Sequence, residues 1–392
     1  MQSSPIQLFV PTFEVEECLR HIRECLERGW TGLGYKTVEM EEAWKRYTGL
    51  PHAHFLNSNT SGLHLALEVF KAKDGWRNGD EVISTPLTFV STNHAILYTG
   101  LAPVFADVDE HLCLDPRSIE ARITPRTRAV MFVGLGGSAG RLEAVRELCR
   151  RRGLRLILDA AHMSGTRLRG RHVGGEEDVS VFSFQAVKNL PTADSGMICF
   201  RDAADDELAR KLTWLGINKD TYSRTAAQGA YKWMYDVEHV GWKYHGNSIM
   251  ASIALAQLPR LDEQNARRRE IARRYRERLS VCGPTVSFVP DAEGCESATH
   301  LCIIRTAKRD ALMERLNGLG VFPGVHYRDN TLYRMYATAH GSCPEAHRAS
   351  DEVISLPLHM RLSSDDVDRV SDAIVSTMRS LVLPASSSGA VA

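Results

Sequence analysis

Two side chains of opposite character follow apolar runs in this sequence. Asp159 ends the apolar run RLILD and is followed by His162 in LILDAAH, and Lys188 follows VSVFSF in VFSFQAVKNLPTADSGMICF. A carboxylate at the end of a buried strand is costly if it stays charged and unpaired. A pyridinium N–H is a suitable partner, and a ring nitrogen kept protonated in this way makes the ring an electron sink. A lysine held in a cleft can lose its proton and form a Schiff base. Taken singly, Asp159 reads equally well as a helix cap or a surface acid, and a lone lysine after a strand is usually solvated. The pair of them at the ends of two strands points to pyridoxal phosphate (PLP), whose chemistry needs both groups.

Two further segments fit the same chemistry. In LNSNTSGLHLAL an apolar run gives way to small polar residues and then to a helical pattern, with Thr60 and Ser61 at the helix start. Backbone N–H groups there, with the helix dipole and the hydroxyls, form an anion site. No Gly-Lys-Ser/Thr follows, so it is not a Walker loop; by itself the segment reads better as an ordinary N-cap. In STPLTFVSTNHAI, Phe89 follows a strand and a proline turn, where an aromatic ring can stack on a flat heterocycle or serve in the core. A phosphate cradle, a stacking ring, a nitrogen partner and a Schiff-base lysine thus occur in that order.

The elements that position these residues alternate. Short apolar runs (AHFLN, EVISTP, PVFADV, AVMFVG, RLILDA, VSVFSF) are separated by helical stretches at Ser61–Lys71, Val90–Tyr98 and Leu142–Arg152. This succession predicts a mostly parallel α/β sheet whose ligand sits at the carboxyl ends of the strands. A long charged helix over Leu258–Ser280, with sparse apolar positions, is expected to bridge two domains. Short strands near Val286–Val289 and Thr299–Arg305, then helices at Asp310–Asn317 and Ser364–Met378, predict a smaller α+β domain. The expected division is an N-terminal segment, 1–30, packing on the small domain; a large domain, 31–258; the small domain, 259–384; and a disordered tail, 385–392.

The bulk properties narrow the function. The chain has 392 residues, 43% of them hydrophobic, with 48 Lys plus Arg balancing 48 Asp plus Glu. A net charge of zero gives no global grip on nucleic acid or an anionic membrane. Nine cysteines lack metal-ligand spacing and read as reduced thiols of a cytoplasmic protein. The start shows no signal-peptide pattern, and no apolar run approaches the roughly 20 residues of a membrane helix.

Together these blocks resemble the DegT-type sugar aminotransferases, a family of fold type I PLP-dependent enzymes. The resemblance spans nearly the whole chain: GWTGLGYKTVEMEEAW, NSNTSGLHLAL, TPLTFVSTNHAILYTGLAPVFADVD, DAAH, FSFQAVKNLPTADSGM, GWKYHGNSIMASIALAQLPRLD, GVHY and SLPLHMRLSSDDVDRV. It implies that Lys188 carries the cofactor and then moves the proton, and that Asp159 binds the ring nitrogen. It places His162 near the phenolic oxygen, Phe89 on the ring, and Thr60, Ser61 and Ser183 on the phosphate. His245 would reach the phosphate of a neighbouring subunit, which implies a homodimer with shared active sites. His326 and Tyr327 would lie near the substrate. The implied substrates are an amino-acid donor, L-glutamate, and a keto-sugar, nucleotide-linked in many relatives. Arg328 and Lys219 are cations that could meet a diphosphate, though solvation is the commoner fate of such side chains.

Several positions depart from the family pattern. Asn59-Thr60 stands for the usual Gly-Thr, Ala193-Asp194-Ser195-Gly196 for Gly-Glu-Gly-Gly, Gly134-Leu135-Gly136-Gly137 for a His-Leu-Tyr-Gly segment, and Ser248 for a common Asp. These changes put the substrate in question more than the reaction. A sugar dehydratase of the same family carries His in place of the lysine, so Lys188 argues against it. A keto-cyclitol aminotransferase would use the same machinery. A PLP-binding regulator without turnover lacks a DNA-binding motif here, and a PLP-free structural protein would show no cofactor absorbance.

Overall fold

The computed structural model describes residues 4–218 and 235–382. Its centre is a seven-stranded sheet: β1 (His54–Leu56), β2 (Glu81–Ser84), β3 (Ala102–Phe105), β4 (Thr127–Val133), β5 (Arg155–Asp159), β6 (Val179–Ser183) and β7 (Gly196–Phe200), in the order β1-β7-β6-β5-β4-β2-β3. All neighbours are parallel except β7, which runs antiparallel to both β1 and β6. The strands read as apolar runs because both faces are covered. Along β4, Val130 and Phe132 enter one core cluster while Ala129 and Met131 enter the other, so the period of two sorts a nearly unbroken apolar run onto two faces.

The helices relevant to the site are α1 (Val15–Glu27), α2 (Tyr35–Thr48), α3 (Asn59–Asp74), α4 (Ser91–Tyr98), α5 (Leu142–Arg152), α6 (Ser248–Gln257), α7 (Leu261–Leu279), α8 (Arg309–Gly318) and α9 (Ser364–Val382). Helix α3 begins because the Ser58 side chain accepts the N–H of Ser61, and it stops at Gly75, whose φ of 70° is left-handed. It starts two residues before the expected Ser61, so Asn59 and Thr60 belong to its first turn.

Beyond α7 lies a smaller α+β lobe. Its antiparallel sheet has the order β8 (Ser287–Phe288), β9 (Cys302–Arg305), β10 (Val353–Leu356), backed by α8 and α9. Helix α7 serves both lobes. Leu261 joins the core of the large sheet, while Ile271, Tyr275 and Leu279 pack with Leu312, Leu316, Val370 and Ile374. Its charged face is partly pinned, as Arg274 pairs with Asp368 of α9 at 2.6 Å.

The N-terminal segment divides its contacts. Ile6–Gln7 pairs in parallel with Val321–Phe322 of the smaller lobe. Helix α1 instead lies on α6 of the large lobe, where Cys25 meets Ser252 and the Glu14 N–H donates to Gln257. Expecting the whole segment on the smaller lobe overlooked this face: Cys18, His21 and Cys25 are the residues that α1 buries. All nine cysteines are free thiols. No described helix is long and apolar enough to cross a membrane. The expected disordered tail and Lys219 lie outside the described residues.

Candidate active site

The carboxyl ends of β1, β4, β5 and β6 open into a cavity of about 420 Å³. Its walls include Asn59, Thr60, Phe89, Asp159, His162, Ser183, Lys188, His326 and Tyr327. These residues come from the first turn of α3, the turn before α4, the ends of β5 and β6, and the smaller lobe. Eight of the ten sequence-predicted positions therefore share this one cavity; Ser61 and His245 are the two that do not line it.

Asp159 ends β5 and is 3% exposed. Its Oδ2 accepts the hydroxyl of Thr92 at 2.8 Å; its Oδ1 accepts the N–H of Ala161 at 3.2 Å and the side-chain amide of Asn59 at 3.3 Å. Thr92 spends its hydrogen on Asp159, so the Thr88 hydroxyl, 2.9 Å away, must donate to Thr92. Burial pushes the carboxyl above the usual aspartate range, and these donors, with Lys188, oppose that.

Lys188 follows β6 on a turn whose backbone closes through its own N–H to Gln185 O. Burial brings its amine down to about 8, with Asp159 pulling the other way. The neighbouring Asn189 fixes the turn. Its amide donates to Asn265 on α7 and to Ala298 O, both at 2.7 Å, and its oxygen accepts from His300 Nδ1 at 2.9 Å.

His162 lies 5% exposed behind the cavity. Its Nε2 faces the Tyr327 hydroxyl at 3.2 Å, and its ring meets that of His300 with centroids 4.3 Å apart. Burial holds His162 and His300 well below the ordinary histidine value. His326 bonds to the Ser355 hydroxyl through Nδ1 at 2.8 Å, and burial lowers it to about 4. Tyr327, also buried, is pushed up.

Phe89 is 60% exposed, with Tyr327 6.0 Å away across the opening. An aromatic ring left so uncovered at a cavity mouth offers a flat apolar face. On the opposite side the cradle is made by Ser58, Asn59 and Thr60 at the start of α3, with Ser183 at the end of β6 and Gln185 just beyond it. Backbone packing there is close: a Cβ on Gly196 would fall 2.8 Å from Asn59 N and Phe182 O, so only glycine fits where β7 passes the cradle.

Two sequence-predicted positions lie outside the cavity lining. The Ser61 hydroxyl donates to Asn57 Oδ1 at 2.6 Å and reaches Ser58 O at 2.8 Å, which uses it within the cap. The His245 ring packs on Trp214 at 4.4 Å, and its Nδ1 donates to Gly246 O. Conversely, the sequence assigned no role to Thr88, Thr92, Asn59, Asn189, Phe9 or His300. Thr92 stands three residues after Phe89 in a segment already noted, which was the available signal. His300 and Phe9 reach the cavity by tertiary packing and carry no local signature.

The residues present suit PLP. A buried acid with an acceptor position to spare, an amine brought near neutrality, an exposed aromatic face and a helix-start cradle surround one space of the right scale.

The comparisons with known proteins agree with this geometry. The profile of the DegT/DnrJ/EryC1/StrS aminotransferase family matches residues 13–375. The spore coat polysaccharide biosynthesis protein SpsC of Bacillus subtilis (strain 168) is 36% identical over 375 residues, covering 92% of this chain and 94% of the relative. The aminotransferase TlmJ from Streptoalloteichus hindustanus superimposes with a TM-score of 0.88 at 35% identity, covering 97% of this chain and 100% of TlmJ. The putative sugar aminotransferase Spr1654 from Streptococcus pneumoniae, in its PLP form, gives 0.87 at 26% identity, covering 97% of this chain and 100% of Spr1654; its PMP form is also among the similar structures. The chain belongs to the DegT/DnrJ/EryC1/StrS aminotransferase family of PLP-dependent sugar aminotransferases.

Proposed function

We propose that this sugar aminotransferase takes its amino group from L-glutamate and delivers it to a nucleotide-linked keto-sugar, working as a homodimer with shared active sites. The observation that carries the reading is that Asp159 and Lys188 line one cavity, the acid fully buried and the amine brought near neutrality by burial. PLP, when bound, supplies the electron sink.

The roles follow from the environments. Asp159 holds the ring nitrogen protonated. Lys188, whose amine burial brings down to about 8, carries the cofactor and then moves the proton at Cα of the donor. Phe89 covers one ring face. Thr60 and Ser183 hold the phosphate beside the N-terminus of α3. His162, kept neutral by burial and bonded to the Tyr327 hydroxyl, stands on the phenolic side of the ring. His326 and Tyr327 bound the space left for the sugar. His245 of each subunit serves the phosphate of the other, which accords with its place outside its own chain's cavity lining. Arg328 directly follows Tyr327 and its guanidinium stands over Tyr333 at 5.5 Å, a cation beside the site for a diphosphate. The name of SpsC, from spore coat polysaccharide biosynthesis, supports a sugar acceptor.

The two half-reactions test this separately. PLP-loaded protein mixed with L-glutamate should convert to the amine form with release of 2-oxoglutarate. Addition of keto-sugars, free and nucleotide-linked, should restore the original spectrum only with the true acceptor. Spectral restoration by a free keto-cyclitol and by no sugar would overturn the acceptor assignment. A spectrum unmoved by glutamate but changed by glutamine or alanine would overturn the donor.

A further inference from the structure

We propose that Asn59 is a positioning residue for the reaction, its carboxamide locking Asp159 in place and joining it to the phosphate cradle at the start of α3. The proposal rests on the roles given above to Asp159 and the cradle.

Asn59 is 8% exposed, and its Nδ2 makes two bonds, to Val181 O at 2.9 Å and to Asp159 Oδ1 at 3.3 Å. Both acceptors are oxygens that cannot donate, so the amide has one permitted orientation; a flip would set its own oxygen against them. The glycine usual in the resembling family offers no such donor. Here, then, one side chain links β5, β6 and α3 at the point where they converge.

The consequence lies in the count of acceptor positions. A carboxylate has about four. Asn59 and Ala161 occupy Oδ1, and Thr92 occupies one position on Oδ2. The remaining position is on Oδ2, which directs a single donor, the ring N–H, to that oxygen. Each donor favours the ionised carboxylate over its protonated form. The charged or titratable groups facing Asp159 from the surrounding elements are Lys188 after β6, His162 just beyond β5, and Tyr327 from the smaller lobe. None of them takes the place of the lost donor on Oδ1. Because Asn59 is also the first residue of α3, the group that fixes the nitrogen partner moves with the backbone that fixes the phosphate.

The test compares wild type with Asn59→Gly and Asn59→Asp, loaded with PLP labelled with ¹⁵N in the ring. The ring-nitrogen resonance is followed across pH beside kcat, the glutamate KM and PLP affinity. Loss of the donor should let Asp159 take up a proton at higher pH. We expect the acid limb of kcat and the ¹⁵N transition in Asn59→Gly to move up by about one unit, a tenfold change in the equilibrium. The glutamate KM should stay within about twofold. Asn59→Asp keeps the shape but sets a second carboxyl against the first, so its shift should be larger. If both variants titrate with wild type, whatever their stability or PLP affinity, Asn59 is merely structural and the proposal fails. Asp159→Asn serves as the reference. If it too leaves the ring-nitrogen resonance unchanged, the role of Asp159 itself is wrong, a failure distinct from that of Asn59.

Discussion

The N–H of Gly136 donates to Nδ1 of His162 at 3.1 Å. A backbone N–H can only donate, so Nδ1 carries no proton, and the neutral ring holds its hydrogen on Nε2, pointing at the Tyr327 oxygen. The Tyr327 hydroxyl hydrogen is then left for the cavity. His162→Ala should strand the buried Gly136 N–H and cost about 1–3 kcal/mol. His162→Asn places an oxygen near the former Nδ1 and should recover most of that loss, while still severing the Tyr327 link. Urea unfolding of the two apo variants measures the difference; equal destabilisation would show that the Gly136 bond contributes nothing.

Lys188 predicts a pH profile for cofactor capture. Its amine is depressed to about 8, first by burial, so below that pH it is mostly protonated and unreactive. The rate at which PLP joins the apo protein should rise through about pH 8 and level off above it, well below the ordinary lysine range. Asp159 favours the charged amine, so Asp159→Asn should move the midpoint down. Stopped-flow absorbance gives both midpoints, and a wild-type rate still climbing at pH 10 would contradict the burial.

Neighbouring hydroxyls on α3 should behave differently. Thr60 faces the cavity, whereas Ser61 is spent on Asn57 and Ser58. Thr60→Val should weaken PLP binding about tenfold, the equivalent of one hydrogen bond to a charged group. Ser61→Ala should leave affinity within about twofold and lower stability by about 0.5–1.5 kcal/mol. Equilibrium dialysis and thermal melting separate the two, and a larger affinity loss in Ser61→Ala would reverse the assignment.

Asp159→Asn should retain PLP and lose the electron sink. We expect the glutamate half-reaction to slow by at least about 100-fold, with the colour of the bound cofactor preserved. Single-turnover absorbance is the measurement, and a rate within tenfold of wild type would remove Asp159 from the chemistry.

Much of this architecture was legible in the residues. Apolar runs separated by helical stretches mark the strands of the large sheet, and Asp159 and Lys188 follow two of them at the carboxyl ends, where the loops of a parallel sheet gather a ligand. What escaped was set by packing at a distance. Asn59 looked like a mere departure from a glycine; its use became visible only when β5 and β6 brought Asp159 and Val181 beside it. The same holds for Gly134. A Cβ there would collide with Met163 at 2.0 Å, so the small residue and the large one fit together across two loops remote in sequence. Ser61 misled in the opposite sense, since a helix start offers hydroxyls to its own cap as readily as to a ligand.

Asn189 gives the two lobes a common fate. Its bonds to Asn265 and Ala298 run from the residue beside the reactive amine into α7 and the segment entering the smaller sheet. Heating that loosens this junction would unmoor Lys188 at once. Bleaching of the bound chromophore and loss of helical ellipticity should therefore share one melting curve, and a holoenzyme that turned colourless many degrees before it lost helicity would show the joint to be slack.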